Sequence, residues 1–396
     1  MEDVSRHYAA HLADEDSGVK VLYVTANPYL RSTTSSLNAI MRELEPKGLQ
    51  PIMLFTSSGP WQQSLVDRGI RCHVVPPLFV PDKKAPLSSL WHVGWLSSLI
   101  VRERIDIVHC NEHEHYPAVR VAVKATRVKS VVTLHWNLEA GFGSWAFRRP
   151  YAPSAIQFLS RAQLDCSRQG LPADLPPDRV KLLMSGLAID EFIRNKRNGS
   201  ALRRSWGVAG HTVVIGAACA IMRRKHLEDF IMVISRLRKM GRPVLGVIAG
   251  GEPYVDHPYK QELEELISRE QLGDHCRWVG NLDPVAPFFD AIDIAVNAAE
   301  MEILSMSMCE AMACGVPTVA YAVGGNPETV HDPWCVVPFG DVEALTQRVV
   351  RLVDDAAFRT EMGIAAERYV RTHFDAPVLA ATQAAIYDEV MGSRLD

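Results

Sequence analysis

The feature that most restricts this chain is an alternation. From Val19 onward, short β-branched runs that are apolar throughout are each followed by a longer stretch with helical spacing. "VKVLYVTA", "PIMLFT", "RCHVVP", "IDIVH" and "SVVTLH" are interleaved with "SSLNAIMRELEPKG", "WQQSLVDRG" and "AVRVAVKATR". A strand apolar on both sides is covered on both sides, and a helix between consecutive strands makes them parallel. The prediction is a doubly wound, Rossmann-like sheet. A polar, basic, glycine-dotted segment, 193–210, interrupts the rhythm, which restarts with "TVVIGAAC", "VLGVIAG", "CRWVG", "IDIAVNA", "PTVAYAV" and "WCVVP". With 396 residues the chain exceeds the size at which one core stops growing. The expected organisation is a tail at 1–18, a first domain at 19–192, a linker at 193–210, a second domain at 211–375 and a closing helix at 376–396. Ligands of such sheets bind beyond the carboxyl ends of the strands. Two facing sheets therefore predict an interdomain cleft suited to a two-part substrate.

Composition removes several classes of function. A net charge of −4 gives no electrostatic footprint for nucleic acid. The first twenty residues are polar and acidic, unlike a signal peptide, and no run reaches the ~18 apolar residues of a membrane span. A cytoplasmic protein without an integral membrane segment is expected. "PLSSLWHVGWLSSLIVRER" repeats Leu87, Leu90, Trp91, Trp95 and Leu99 at helical spacing, read as a core-facing helix, with peripheral membrane contact left open. The eight cysteines are scattered, without a CxxC pair, and read as reduced, mostly buried thiols.

"HCNEHEH", residues 109–115, raises the question of zinc. The segment lacks the His-Glu-x-x-His spacing and any Cys/His knuckle. Pro117 and the helical "AVRVAVKA" after it indicate a loop entering a helix, where residues i and i+2 diverge. No metal is assigned. The cluster is read as a polar acceptor rim or a solvated loop.

The most informative stretch is "NAAEMEILSMSMCEAMACGVPTVAYAVGGNPETV", 297–330, in which Glu302 and Glu310 are separated by seven residues. Ser305 suits an N-cap, Gly315 a C′ position, and Pro317 follows, so a helix over Met306–Cys314 is well punctuated. A helix N-terminus offers amides and partial positive charge to a diphosphate. Were the span all helix, the two carboxylates would lie about 12 Å apart, matching the distance from a sugar to the ribose of its nucleotide carrier. Carboxylates accept hydrogen bonds from vicinal hydroxyls at either end of such a donor.

Glu-x7-Glu, "EAMACGVP" and "VGGNPE", after a strand, resemble the donor-site signature of the family-4 retaining glycosyltransferases of GT-B fold. "RWVG", "FFDAIDIAV" and "VVPFGDVEAL" match the same pattern in order. The resemblance implies a retaining, metal-independent hexosyltransferase that uses a nucleotide-diphosphate sugar as co-substrate and needs no cofactor. It places Glu302 by the transferred sugar and Glu310 on the ribose. Ile303 and Leu304 stand where the family has Gly-Phe. Ser305 and the amides of Met306 and Ser307 fall at the diphosphate, and Lys225, in "AIMRRKH", neutralises it. The family's arginine is Ala220 here, with Arg223 or Arg224 as substitutes, and Val279 to Asn281 read the base. His135 lies beside the sugar. His109, Asn111 (often histidine in the family), Ser32 and Thr33 fall on the acceptor side. The last helix is expected to cross back onto the first domain. The favoured mechanism is front-face attack, with the departing phosphate taking the acceptor's proton.

Two other readings share this fold: a non-catalytic nucleotide-sugar binder, suggested by Ala220 and the glycine-free loop "NPYLRSTTSS", and a nucleotide-sugar 2-epimerase, which needs acid/base carboxylates. The acceptor, whether small molecule, glycan or lipid-linked, is not legible.

Overall fold

The computed structural model describes residues 18–75, 86–193, 196–252 and 255–392. The tail expected at 1–18 therefore lies almost wholly outside the described residues. The chain forms two compact units, one made of the residues up to Leu187 with those from Ala376 onward, the other of Ala188–Asp375.

In the first unit seven parallel strands, β1 (Val19–Thr25), β2 (Leu49–Phe55), β3 (Arg71–Val74), β4 (Ile107–Cys110), β5 (Lys129–Leu134), β6 (Ala155–Phe158) and β7 (Val180–Leu182), run in the order β3-β2-β1-β4-β5-β6-β7. The strand order reverses between β1 and β4, which makes a topological switch point there. Alternate residues of the strands feed two cores. Tyr23, Met53 and Val131 pack with the helix Ser32–Leu44 on one face, while Leu22, Val108 and Val132 pack with the helices Pro86–Arg102 and Tyr116–Thr126 on the other. This double burial is why the strands read as unbroken apolar runs. The helix Pro86–Arg102 is only partly core-facing: Leu96, Leu99 and Ile100 are buried, but Leu87, Leu90 and Trp91 are exposed, and Trp91 stacks on Trp95.

The closing helix, Ala376–Gly392, packs on the first unit through Leu379, Ala380, Ile386, Tyr387 and Val390. Each large apolar side chain so covered contributes roughly 1.5–3 kcal/mol.

In the second unit β8 (Val213–Ala218), β9 (Val244–Ala249), β10 (Cys276–Gly280), β11 (Ile294–Asn297), β12 (Thr318–Tyr321) and β13 (Val336–Val337) run in the order β10-β9-β8-β11-β12-β13, again parallel, with the reversal between β8 and β11. Much of the segment expected as a linker, 193–210, is instead the helix Lys196–Ser205 of this unit. Its polarity misleads because one of its arginines is spent on the sheet. Arg203 makes a bidentate pair with Asp293 at 3.0 and 2.7 Å, and Asp293 also accepts from Val214 N at 2.8 Å. A Cβ on Gly199 would stand 2.2 Å from Asp290 O, so the glycine permits a close approach to the helix Ala286–Ala291. Among the described residues no helix is long and apolar enough to cross a membrane.

Candidate functional site

Four polar side chains meet at the β8/β11 switch point of the second unit. Lys225 lies in a short turn after β8, Asn297 ends β11, and Glu302 and Ser305 follow in the loop beyond it. Lys225 Nζ donates to Glu302 Oε1 at 2.5 Å, with 13% and 9% of the two side chains exposed. Asn297 Nδ2 donates to the same Oε1 at 3.1 Å and to Ser305 Oγ at 2.9 Å. Asn297 was missed from sequence, because its role depends on strand order rather than on any motif.

Ser305 occupies the N-cap position of the helix Met306–Ala313, but its side chain makes no capping bond. The hydroxyl is held by Asn297 instead and lies 3.4 Å from Ser307 Oγ. The Ser305 side chain thus does not occupy the first amides of that helix, those of Met306 and Ser307 included. The helix ends as expected: Gly315, at φ 68°, donates to Met312 O at 2.9 Å and Val316 donates to Ala311 O at 3.0 Å, a Schellman closure. The span from Glu302 to Glu310 is not all helix, so the 12 Å estimate does not apply. Ile303 and Leu304 are half-buried in the preceding turn.

Behind the loop, Gly325 N donates to Glu302 O at 2.9 Å, and a Cβ on Gly324, at φ 46°, would stand 1.8 Å from that oxygen. "VGGNPE" therefore fixes the backbone of Glu302. Glu310 is half-buried, its carboxylate has no hydrogen-bond or ion-pair partner among the described residues, and burial pushes it up to about 7. Arg224 accepts Glu300 N at 3.0 Å through its carbonyl, while the exposed Arg223 pairs with Glu262 at 2.8 and 2.5 Å. At the ends of β9 and β10, Gly250 N donates to Gly280 O at 2.9 Å, and a Cβ on Gly250 would meet Cys219 O at 2.1 Å. Val279 is half-buried and Asn281 exposed there, beside the glycine pair Gly250–Gly251 that sequence reading passed over.

In the first unit the histidines divide. His109 lies within β4, not at its end, and is 2% exposed. Its Nδ1 lies 2.6 Å from the Tyr387 hydroxyl and its Nε2 2.8 Å from Thr133 Oγ1. Thr133 donates to Gln157, whose amide donates to Gln383. His109 thus ties the sheet to the closing helix, with both ring nitrogens used. Burial drives it down to about 3. His135, also buried, bonds the Asn111 carbonyl, leaves Nε2 unpartnered and is held down at about 4, first by burial and then by His113. Asn111 Nδ2 donates to Glu112 Oε1 at 3.0 Å. Thr33 lines a cavity of about 30 Å³ with His109, Asn111, Thr133, His135 and Gln383. The side chain of Ser32 lies outside the described residues. His113 packs edge-on against Phe142, and among the described residues no group of three or more His, Cys, Asp or Glu is arranged to hold a metal.

Comparison with known proteins accords with this geometry. Residues 211–355 match the family model "Glycosyl transferases group 1" and residues 2–172 match "Glycosyl transferase 4-like domain". The 2-deoxystreptamine N-acetyl-D-glucosaminyltransferase of Streptomyces fradiae is 34% identical over 349 residues, covering 80% of this chain and 81% of that one. The N-acetyl-alpha-D-glucosaminyl L-malate synthase of Bacillus anthracis is 22% identical, covering 88% and 92%. Among solved structures, a glycosyltransferase from Rickettsia africae superposes with a TM-score of 0.83 at 18% identity, over 94% and 99% of the two chains. Anabaena HepE, solved with UDP and glucose, gives 0.79 at 18% identity over 95% and 100%. The chain belongs to the GT4-like glycosyltransferases and has their GT-B fold of two Rossmann-like domains.

Proposed function

We propose that the protein moves a hexose-type sugar, with retention of anomeric configuration and without a metal, from a nucleoside-diphosphate sugar to a small polyhydroxylated acceptor. The observation that carries this reading is the Lys225–Glu302 pair set beside a helix N-terminus that no side chain caps. The diphosphate lies against the amides of Met306 and Ser307, with Lys225 shared between Glu302 and a phosphate oxygen. Glu302 holds the lysine aimed before the donor arrives, and it reads the transferred sugar afterwards with His135. Glu310 accepts the ribose hydroxyls, and Arg224, Ile303, Leu304, Val279 and Asn281 complete the donor's surroundings. As the glycosidic bond breaks, charge develops on the leaving diphosphate, and fixed dipoles and one ammonium stabilise it without reorganising. The acceptor oxygen attacks from the face the diphosphate leaves, and its proton passes to a phosphate oxygen.

Two relatives whose names specify 2-deoxystreptamine and L-malate support a small hydroxyl-bearing acceptor. The test is calorimetric titration of UDP, GDP and ADP, with chelator present, into wild type and Glu310→Ala. Binding of one nucleotide that weakens in the variant supports the donor site, and no binding of any would overturn it. The anomeric configuration of the product, read by NMR, tests retention.

A further inference from the structure

Glu112 stands just past β4 at the other switch point, where β1 and β4 are neighbours. Its Oε1 is fixed from two directions, by Thr25 Oγ1 at 3.0 Å and by Asn111 Nδ2 at 3.0 Å. Its Oε2 is buried and has no hydrogen-bond partner among the described residues, and 15% of the side chain is exposed. His115 Nε2 stands 3.9 Å from Oε2, beyond a hydrogen bond. The groups acting most strongly on the carboxyl are Asn111, Thr25, the Ala26 backbone and the like charge of Glu114, and none is a lysine or arginine. The histidines near it are not cations either, since burial holds His113, His115 and His135 below their ordinary value. Glu114 and Glu139 both act on His113. Burial accordingly pushes Glu112 up to about 7, because an ionised carboxylate can only accept and a largely buried one is costly without a compensating cation.

A second side chain near the same strand ends also keeps an unpartnered buried nitrogen. His135 is 8% exposed, and its Nε2 has no partner. Its ring donates to the Asn111 carbonyl, so Nε2 is the acceptor nitrogen. The ends of β4 and β5 thus carry two acceptors that lack donors, both tied to Asn111.

We infer that Glu112 recognises a positively charged amino group on the acceptor, which makes the acceptor an amine-bearing polyol. This rests on the proposed transferase reading and names the acceptor class for it. A cationic nitrogen supplies the missing counter-charge to Oε2. Asn111 and Thr25 act as positioning residues, holding Oε1 so that Oε2 presents to the ligand.

The experiment is calorimetry on the intact protein, with whichever of UDP, GDP and ADP binds in the titration above held at saturation. Two probes are titrated: 2-deoxystreptamine, a diamine, and scyllo-inositol, a cyclitol of the same ring size without nitrogen. Wild type is expected to bind the diamine and to discriminate against the inositol. Glu112→Gln, which keeps shape and the bonds to Oε1, is expected to lose roughly 10- to 100-fold in diamine affinity, the size of a charge-assisted hydrogen bond. Glu112→Asp, which keeps the charge but withdraws it, falls between. Equal affinity for the diamine in wild type and Glu112→Gln, equal affinity of wild type for both probes, or nucleotide binding without diamine binding each overturns the inference. Failure to bind any nucleotide would instead strike the transferase reading itself.

Discussion

Glu310→Gln separates what the carboxylate does for the fold from what it does for the donor. Its carboxyl is pushed from an ordinary 4.5 to about 7 by burial, and it has no hydrogen-bond or ion-pair partner among the described residues to repay ionisation. The folded state therefore binds more protons than the unfolded state between these values. Stability falls as pH rises through that window and is level above it. At about 1.4 kcal/mol per pH unit the full effect is roughly 3 kcal/mol at pH 8. Because the side chain is only half-buried, solvent screening trims this to about 1–2 kcal/mol. For a domain of 150–250 residues that is a rise in Tm of ~2–8 °C for the glutamine variant at pH 8, vanishing near pH 4. Nucleotide affinity moves the opposite way, falling roughly 10- to 100-fold as a charge-assisted bond to the ribose is lost. The assay is a thermal melt of both proteins from pH 4 to 9, with and without nucleotide, read as the difference between them so that groups titrating in both cancel. A variant that melts below wild type at pH 8, or binds nucleotide equally well, would refute the argument.

Lys225→Ala leaves Glu302 largely buried without its cation and should cost about 3 kcal/mol in stability and roughly 100- to 1,000-fold in kcat. Lys225→Met with Glu302→Gln should recover most of the stability and none of the turnover. Gly324→Ala places a Cβ where Glu302 O lies 1.8 Å away, at φ 46°, so turnover should fall at least as far as in Lys225→Ala. Tyr387→Phe frees His109 Nδ1 and should lower stability by about 1–3 kcal/mol, measured by denaturant unfolding. His109 and His135 are held down at about 3 and 4. Their neutral burial contributes stability that is present above the ordinary value of 6.5 and is lost as pH falls toward 4, so His109→Gln should unfold less steeply in acid.

How much of this was legible in the sequence depended on whether the cause was local. The central strands were, because each is buried on both sides and so reads as an apolar run, and the helix Met306–Ala313 was, because Gly315 and Pro317 punctuate it. β6, "AIQF", and β7, "VKL", were not, being too short to show a period. The helix Lys196–Ser205 was hidden because its stability comes from Arg203 reaching Asp293, 90 residues on, a pairing that composition cannot show. At the candidate site, the spacing of Glu302 and Glu310 was visible, but the bond from Lys225 to Glu302 spans 77 residues and Thr25 reaches Glu112 across 87. "HCNEHEH" misled for the same reason. Its histidines look alike in a row, whereas the fold sends His109 to the closing helix and His113 to Phe142.

The two sheets share one order around their switch points, and each sets a glutamate beside the reversal. Their charges are settled differently. In the second unit Glu302 has a lysine at 2.5 Å, a pair neutral as a whole, which an incoming anion can draw upon because the lysine has spare donors and uncapped amides stand beside it. In the first unit Glu112 is met by neutral donors only, Thr25, Asn111 and the Ala26 backbone, and no lysine or arginine is among the groups acting most strongly on it. A balanced pair suits a ligand that brings negative charge and leaves with more of it, as a diphosphate does. An unbalanced carboxylate suits a ligand that brings positive charge and keeps it. On the proposed function and acceptor class, the same architecture serves an anionic donor at the switch point where Lys225 stands and a cationic acceptor at the one where Glu112 stands.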